Sequence, residues 1–321
     1  MLLALAGMVL AGCGESSPTI LRPGGSAAED IKRLAMEIFA ILSIVLLAVW
    51  TLLAIVIIRY RHRPEAMASQ TEGNFAIEVI WTLIPTVIVI VLFVLTIRTT
   101  HQLALADRGA SFTAVGHQWW WEFDFEHEGF KTANEVHVPV DQVVSIDIVS
   151  SDVIHSFWVP QMGGKVDMIP GRVNHDRFLP VEEGTYLGEC AEFCGADHGT
   201  MRFLFVVESP EEFSAWVANQ RRPAAEPTTP AAIAGARVIA TVGCSGCHTI
   251  RGTTLGGIVG PDLTHFGSRG GIAAYTLPNT PANLKKWLTD PQAVKPECHM
   301  PRTPLPGAQI DELVAYLEGL K

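Results

Sequence analysis

Basic residues are scarce in this sequence. Its 321 residues include 23 lysines and arginines against 33 aspartates and glutamates, which gives a formal net charge of −10 at pH 7. A surface with this balance repels phosphate groups and attracts positively charged surfaces. The composition therefore argues against nucleic acid as a partner and would suit a basic partner protein.

Charge is absent from two long apolar stretches, residues 38–58 and 79–97. Each holds roughly the 20 apolar residues that a helix needs to cross the hydrocarbon core of a bilayer. Arg59, Arg61 and Arg63 follow the first stretch directly, as expected for a cytoplasmic turn. The sequence therefore predicts a two-helix transmembrane hairpin within residues 13–100, in contact with membrane lipid and with both chain ends outside the cytoplasm.

Lysine and arginine are also missing before the first apolar run, residues 1–12. This run is too short to span a bilayer, and it ends in Leu-Ala-Gly before Cys13, which resembles a bacterial lipoprotein signal. The missing basic residues depart from the usual signal. We expect residues 1–12 to be a leader and Cys13 to be lipidated; a plain signal and an unprocessed N-terminus remain the alternatives.

Four potential metal ligands lie between residues 190 and 201, in C-A-E-F-C-G-A-D-H-G-T-M. Cys190 and Cys194 offer thiolates, His198 an imidazole and Met201 a thioether, a set of soft ligands that favours copper. His155, in D-V-I-H-S-F-W, is the candidate histidine from an earlier strand. Two thiolates between two copper ions would bridge both. A tetrahedral zinc site is the alternative, but zinc has no use for the thioether.

This pattern, Cys-x-Glu-x-Cys-x-x-x-His-x-x-Met with an upstream histidine, resembles the binuclear CuA site of cytochrome c oxidase subunit II. The resemblance implies a magnesium ion, shared with subunit I, at the carboxylate of Glu192. It also implies that Asp167 and Arg172 contact subunit I. The copper ligands that it implies, with Glu192 acting through its backbone carbonyl, are His155, Cys190, Glu192, Cys194, His198 and Met201.

Three consecutive tryptophans lie in V-G-H-Q-W-W-W-E-F-D-F, residues 115–125. In a strand, Trp119 and Trp121 would share one face and Trp120 would take the other. An exposed aromatic cluster marks a docking surface. The family resemblance selects Trp119 as the point where electrons enter.

Glu78 begins the second apolar stretch, in E-V-I-W-T-L-I-P. A carboxylate at the lipid boundary is costly enough to suggest a role, although an interfacial residue without one is the alternative. The resemblance implies that Glu78 lies near the entrance of a proton pathway into subunit I.

Short alternating segments follow the tryptophans, separated by turn residues, up to R-F-L-F-V-V at residues 202–207. Such a series predicts an all-β sandwich over residues 101–218. The ligand-rich loop would then join the last two strands, as in cupredoxins.

Proline and alanine dominate residues 219–232, which predicts a semi-rigid linker. Beyond it, residues 233–321 have the length of a small domain and carry Cys244-Ser-Gly-Cys247-His248. In an exported chain this C-x-x-C-H motif predicts covalent haem c, with His248 on the iron. A thioredoxin-like redox pair is the alternative, but no βαβ pattern surrounds the motif.

Methionine is almost absent from the C-terminal segment, since Met300 is the only one after Met201. It lies in K-P-E-C-H-M-P, which is similar to the methionine loop of class I cytochromes c, and it is the expected sixth iron ligand, with His299 as the alternative. Pro261 matches the proline whose carbonyl orients the haem histidine. Cys298 is left as a free thiol.

Taken together, the motifs resemble subunit II of a caa-type haem-copper oxidase, in which the CuA subunit is fused to a cytochrome c. The resemblance implies a multidomain membrane protein with a transmembrane hairpin, a cupredoxin sandwich and an all-α cytochrome c domain. It further implies a bacterial inner-membrane location with the cofactor domains on the periplasmic side.

The implied activity is that of a respiratory oxidase subunit. Electrons would pass from a cytochrome c or bc-type complex through haem c and CuA to subunit I, where oxygen is reduced to water with proton translocation. Subunit III would be a further partner. The alternatives are a CuA-containing nitric oxide reductase and a structural subunit like that of a quinol oxidase.

Overall fold

The computed structural model describes residues 18–61, 72–103 and 109–321. The expected leader, Cys13 and Arg63 lie outside the described residues. Contacts between the described residues divide the chain into two compact units. Residues 29–61 and 72–103 form one unit, and residues 18–28 with 109–321 form the other.

Two long apolar helices make up the first unit, α1 (Ser26–Arg59) and α2 (Phe75–Gln102). Their most apolar windows have mean hydropathies of 3.1 and 2.7, and no side chain in those windows is buried by protein. A helix that is apolar on every side and uncovered by protein is suited to lipid. Both helices extend beyond the predicted spans 38–58 and 79–97 because the helix continues into flanking residues that include charged ones, such as Glu37, Arg59, Glu78 and Arg98.

Asn74 caps the start of α2. Its side-chain oxygen accepts hydrogen bonds from the backbone N–H groups of Ala76 and Ile77, at 3.1 and 3.3 Å. Glu78 lies exposed in the first turn, where a carboxylate also interacts favourably with the helix dipole.

A sandwich of two five-stranded sheets follows, which confirms the predicted all-β domain. One sheet has the order β3-β2-β1-β5-β8 and the other β4-β10-β9-β6-β7. The strands are β1 (Phe112–His117), β2 (Trp120–Phe125), β3 (Phe130–Ala133), β4 (Glu135–Pro139), β5 (Val144–Ser150), β6 (His155–Trp158), β7 (Val166–Met168), β8 (Asn174–Phe178), β9 (Gly184–Cys190) and β10 (Arg202–Glu208).

Aromatic rings fill the space between the two sheets. The ring centroids of Trp121 and Phe157 lie 5.7 Å apart, and those of Phe157 and Phe203 lie 4.9 Å apart. Alternate residues of β1 and β2 are buried, as expected for strands with one face on the core. The single strand predicted through the three tryptophans is wrong, because β1 ends at His117 and Trp119 lies in the turn before β2.

The C-terminal segment, residues 230–321, is mainly helical, and we call it the cytochrome c region after the domain expected there. Its helices are α4 (Pro230–Thr241), α5 (Pro281–Thr289), α6 (Pro291–Val294) and α7 (Gly307–Leu317), and a small hairpin of β11 (Gly271–Ile272) and β12 (Leu277–Pro278) lies between α4 and α5. The sandwich itself ends with helix α3 (Pro210–Gln220). The hairpin is an addition to the expected all-α fold.

The irregular linker is shorter than residues 219–232, because α3 continues to Gln220 and α4 begins at Pro230. Proline at the first helical position loses no hydrogen bond, and the Thr229 hydroxyl accepts one from Ala232 N at 3.2 Å. A proline that looked like part of the linker is therefore a helix start.

Helices α4 and α7 pack so closely that there is no room for a side chain at Gly235. A Cβ added at Gly235 would overlap the backbone carbonyl of Glu312 on α7. These helices bring together buried residues of the second core, among them Ile239, Leu313 and Leu317. The absent side chain at Gly235 thus sets the helix spacing in the cytochrome c region.

Gly235→Ala should force the two helices apart and lower the free energy of unfolding of this region by about 1–3 kcal/mol, the usual cost of overpacking. Hydrogen exchange of the α4 and α7 amides in the full chain measures it. Gly307→Ala is the matched control, since a Cβ there meets nothing within 4 Å. Equal protection in the two variants would contradict the packing argument.

Candidate metal and haem sites

The ligand-rich loop joins two antiparallel neighbours in one sheet. Cys190 is the last residue of β9, Arg202 is the first of β10, and Cys190 N donates to Met201 O at 3.1 Å across the base of the loop. His155 opens β6, the next strand, where Phe157 pairs with Cys190. Sheet pairing therefore brings the distant histidine to the cysteine.

Two buried thiols form the centre of the site. The Sγ atoms of Cys190 and Cys194 lie 3.8 Å apart, and His155 Nδ1 lies 3.8 Å from the Cys190 sulfur. Ligand atoms of these three residues all fall within 4.8 Å of one another. The backbone carbonyl oxygen of Glu192 lies 3.2 Å from the same Cys190 sulfur. The structure thus brings together the first half of the predicted ligand set.

The second half lies against the other sulfur. His198 Nδ1 and Met201 Sδ are 3.7 and 3.9 Å from Cys194 Sγ. His198 starts a short 3-10 helix, and Met201 follows that helix, fully buried. Each thiol therefore has its own pair of neighbouring candidate ligands: His155 and the Glu192 carbonyl for Cys190, and His198 and Met201 for Cys194.

Hydrogen bonding between the two thiols lowers the pKa of Cys190. The same interaction, together with burial, raises the pKa of the Cys194 thiol. Cys190 is therefore the thiol of the pair that loses its proton more readily, and the thiolate is the form that binds metal ions.

Asp152 holds the His155 ring in place. Its carboxylate lies 2.7 Å from His155 Nε2 through one oxygen and accepts from Gln118 N at 2.6 Å through the other. Burial lowers the pKa of His155, but the hydrogen bonds with Asp152 and Cys190 outweigh it and raise this pKa to about 8. Asp152 was not predicted from the sequence, although a carboxylate three residues before a candidate metal-binding histidine is a signal for this role.

Trp119 contacts the ligand-rich loop directly. Its indole Nε1 donates to Cys194 O at 3.0 Å, and the Gln118 side chain donates to the same carbonyl at 2.8 Å. Trp119 is only 6% exposed. The ring also faces the cytochrome c region, since the ring centroids of Trp119 and His299 lie 6.1 Å apart. Its role as the point where electrons enter stays a prediction. The sequence analysis also missed Gln118.

The C-x-x-C-H motif occupies a short 3-10 turn after α4, with Cys244 and Cys247 half-buried. His248 Nδ1 lies 2.8 Å from the carbonyl oxygen of Pro261, the partner expected from the sequence. A bond from Nδ1–H to this oxygen leaves Nε2 free for a metal. Burial lowers the pKa of His248, which favours the neutral ring that metals bind.

A cavity of about 330 Å³ lies beside this turn. Cys247, His248 and Met300 line it together with several apolar side chains, and Trp119 and Trp120 line it from the sandwich. A mostly apolar cavity with a few convergent metal ligands fits a haem. His299 lines the same cavity, with its ring centroid 6.1 Å from that of Trp119, so the alternative ligand is also present.

The side chains of the remaining candidate residues lie apart from the sulfur atoms of Cys190 and Cys194. The side chains of Asp167, Arg172 and Glu192 are exposed on the sandwich. Glu78 belongs to the helical unit. Cys298 is a free thiol, and its sulfur lies 3.3 Å from Gln292 Nε2.

Fold and site together define a membrane-anchored electron carrier with a cupredoxin-type metal loop and a c-type haem region. Three family models match the chain, and they cover most of its length. They describe the transmembrane domain of cytochrome c oxidase subunit II (residues 19–98), its periplasmic domain (residues 126–209) and cytochrome c (residues 232–321).

Curated relatives match over the full length. Cytochrome c oxidase subunit 2 of Alkalihalophilus pseudofirmus is 38% identical over 98% of this chain and 94% of its own, and that of Bacillus sp. (strain PS3) is 34% identical over 100% and 96%. A quinol oxidase subunit 2 of Bacillus cereus is 28% identical over 68% of this chain and 77% of its own. The chain belongs to the cytochrome c oxidase subunit II family, in a form with a C-terminal cytochrome c domain.

Membership fixes the general setting. The chain is an inner-membrane protein whose soluble part lies on the outer side, and it works in a complex with other oxidase subunits. The two soluble domains imply copper and haem c as cofactors.

Asp152→Asn should weaken copper binding about 10–100-fold, the usual effect of removing a group that orients a metal ligand. The amide keeps the shape but loses the charge and one of the two acceptors that hold His155 and Gln118. Chelator competition on the purified chain measures the affinity. Asp147→Asn, which removes an exposed carboxylate paired with His175, is the control; equal affinities would refute the role of Asp152.

Proposed function

We propose that this chain takes electrons into a haem-copper oxidase. Electrons pass one at a time from a cytochrome c or bc-type complex to haem c, then to a CuA centre, and then to subunit I. One observation carries the proposal. The cavity lined by His248 and Met300 is also lined by Trp119, and the Trp119 indole is hydrogen-bonded to the Cys194 carbonyl.

The arrangement of ligands supports a binuclear copper centre over a single ion. His155 and the Glu192 carbonyl flank Cys190, and His198 and Met201 flank Cys194. Two ions held by these two sets would share both thiolates. Such a centre supplies one-electron redox chemistry with the charge spread over both metals.

The cytochrome c region would hold its haem through thioether bonds to Cys244 and Cys247. His248 would ligate the iron on one side and Met300 on the other, with His299 as the alternative. Pro261 O fixes the orientation of the histidine ring. Trp119 lines this cavity and its indole bonds to Cys194 O, so it would lie between the two cofactors, and an electron given up by the haem would be taken up by the copper centre.

The exposed face near Glu192 would meet subunit I. The Glu192 carboxylate is free to bind a shared magnesium ion, since only its carbonyl lies at the copper site, and Asp167 and Arg172 are exposed for contacts with the same partner. Glu78 at the start of α2 would lie near a proton pathway into subunit I. Oxygen would be reduced to water there, coupled to proton translocation, with subunit III also in the complex.

The two alternative functions differ in their acceptor or donor. A quinol oxidase subunit would have no need for the complete set of copper ligands that this chain places together. A CuA-containing nitric oxide reductase would use the same relay with another acceptor, and the activity of the intact complex towards oxygen and nitric oxide separates the two.

The purified chain should contain two copper ions and one covalent haem. Replacing Cys190 or Cys194 should abolish the mixed-valence spectrum because each thiolate would bridge both ions of the proposed centre. Replacing Met201 should shift the potential and leave copper bound, since a weak ligand tunes the metal more than it holds it. Elemental analysis with one zinc and no copper would overturn the binuclear assignment.

Trp119→Phe should slow the reduction of CuA several-fold and leave the reduction of haem c unchanged, because the phenyl ring lacks the N–H group that bonds Cys194 O. Rapid-mixing spectroscopy on the whole oxidase resolves the two phases. Trp120→Phe is the comparison, since that indole lines the same cavity but stacks on His117, with ring centroids 4.2 Å apart. If CuA is reduced before haem c, the proposed order of transfer is wrong.

A further inference from the structure

The sandwich and the cytochrome c region meet through a set of polar contacts beside the shared cavity. We call this set the docking latch. Its members on the sandwich are Glu135, Thr200 and Arg202, and its members on the cytochrome c region are Gly270, Ala273, Ala274, Tyr275 and Lys295.

Glu135 is the anchor on the sandwich. Its side chain is 14% exposed, and its Oε2 accepts from Gly270 N at 3.1 Å and from the Tyr275 hydroxyl. Burial alone would raise the pKa of Glu135, but hydrogen bonds from His137, Tyr275 and Gly270 hold it below its usual value. The carboxylate is therefore ionised, and hydrogen bonds to an ionised acceptor are stronger than neutral ones.

A second pair of contacts reaches the end of the copper loop. Arg202 N donates to Ala274 O at 3.3 Å. Lys295 is only 3% exposed, and its Nζ donates to Thr200 O at 3.0 Å and lies 3.5 Å from Ala273 O. A buried ammonium group needs such acceptors. The latch therefore includes Thr200 and Arg202, the residues directly before and after Met201.

The backbone of the latch loop is itself unusual. Ala273, Ala274 and Tyr275 have φ angles of 52°, 55° and 59°, in the left-handed region that side chains disfavour. Three such residues in succession persist only where surrounding contacts hold them. Contacts with Glu135, Arg202 and Lys295 contribute to this. Within the loop, the Thr276 hydroxyl also donates to Ala273 O at 2.6 Å.

We propose that the docking latch positions the cytochrome c region for electron transfer, with Glu135 and Tyr275 as its main positioning residues. The latch keeps the haem cavity against Trp119, so the transfer-ready arrangement is the resting one. This inference rests on the proposed relay from haem c to CuA. In this arrangement the cytochrome c region is bound to the sandwich and leaves it only when the latch breaks.

The linker supports a bound state as well. Ala224 N donates to Arg251 O at 2.8 Å, and His265 Nε2 lies 3.1 Å from Arg222 O. Part of the irregular segment is thus attached to the cytochrome c region. The contacts between the two domains are therefore made at the latch as well as through the chain.

The test uses the complete oxidase with Glu135→Ala, Tyr275→Phe and the double variant. An electron is injected into haem c by flash photolysis, and the reduction of CuA is followed. We expect the haem-to-copper phase to slow about tenfold in each single variant, since hydrogen bonds to charged groups shift equilibria by about that factor or more. The double variant should be no slower than Glu135→Ala, because Glu135→Ala already removes the hydrogen bond that Tyr275→Phe breaks.

Hydrogen exchange gives a second readout that needs no electron transfer. The amides of Gly270 and Arg202 donate across the interface, and their protection should fall about tenfold in the variants. The spectra of both cofactors should stay unchanged. Asp147→Asn, which removes an exposed carboxylate within the sandwich, is the matched control.

The outcomes separate the two proposals. If the unmodified oxidase transfers electrons from haem c to CuA and the variants match the control in rate and protection, the latch is wrong and the relay stands. If the unmodified oxidase shows no such phase, the relay is wrong, and the latch loses its role in electron transfer with it.

Discussion

The copper site depends on the closure of one loop between two antiparallel strands. The bond from Cys190 N to Met201 O fixes both ends of that loop, and the Cys194 carbonyl accepts from Gln118 and Trp119 above it. These bonds hold the two buried sulfurs 3.8 Å apart. A site whose ligands are fixed by the fold in this way would need little rearrangement on gaining an electron.

The candidate ligands can be found in the sequence because most of them lie within twelve residues, where spacing alone limits the geometry. His155 is found by its residue type, and the sheet then supplies its position beside Cys190. Asp152 and Gln118 were missed because their role appears only when the loop before β6 meets the β1–β2 turn. The spacing of Asp152 and His155 is a local signal for Asp152, but no local pattern indicates that Gln118 meets them.

Contacts between domains were the least predictable part. Trp119 is buried by residues about 180 positions later in the chain, such as His299, and Glu135 bonds a tyrosine 140 residues away. Composition misplaced the linker for a similar reason. Pro230 adds to a proline-rich segment in the sequence, but the Thr229 cap makes it the first residue of a helix.

Covalent fusion explains why so few contacts suffice at the docking latch. A short tether keeps the cytochrome c region at an effective concentration in the millimolar range, so an interface too weak to join separate proteins still fills the docked state. The cost of left-handed backbone at residues 273–275 is compatible with this arrangement. This conformational cost lowers the stability of the docked state, so the latch can open. When the latch has opened, the tether brings the haem cavity back to Trp119.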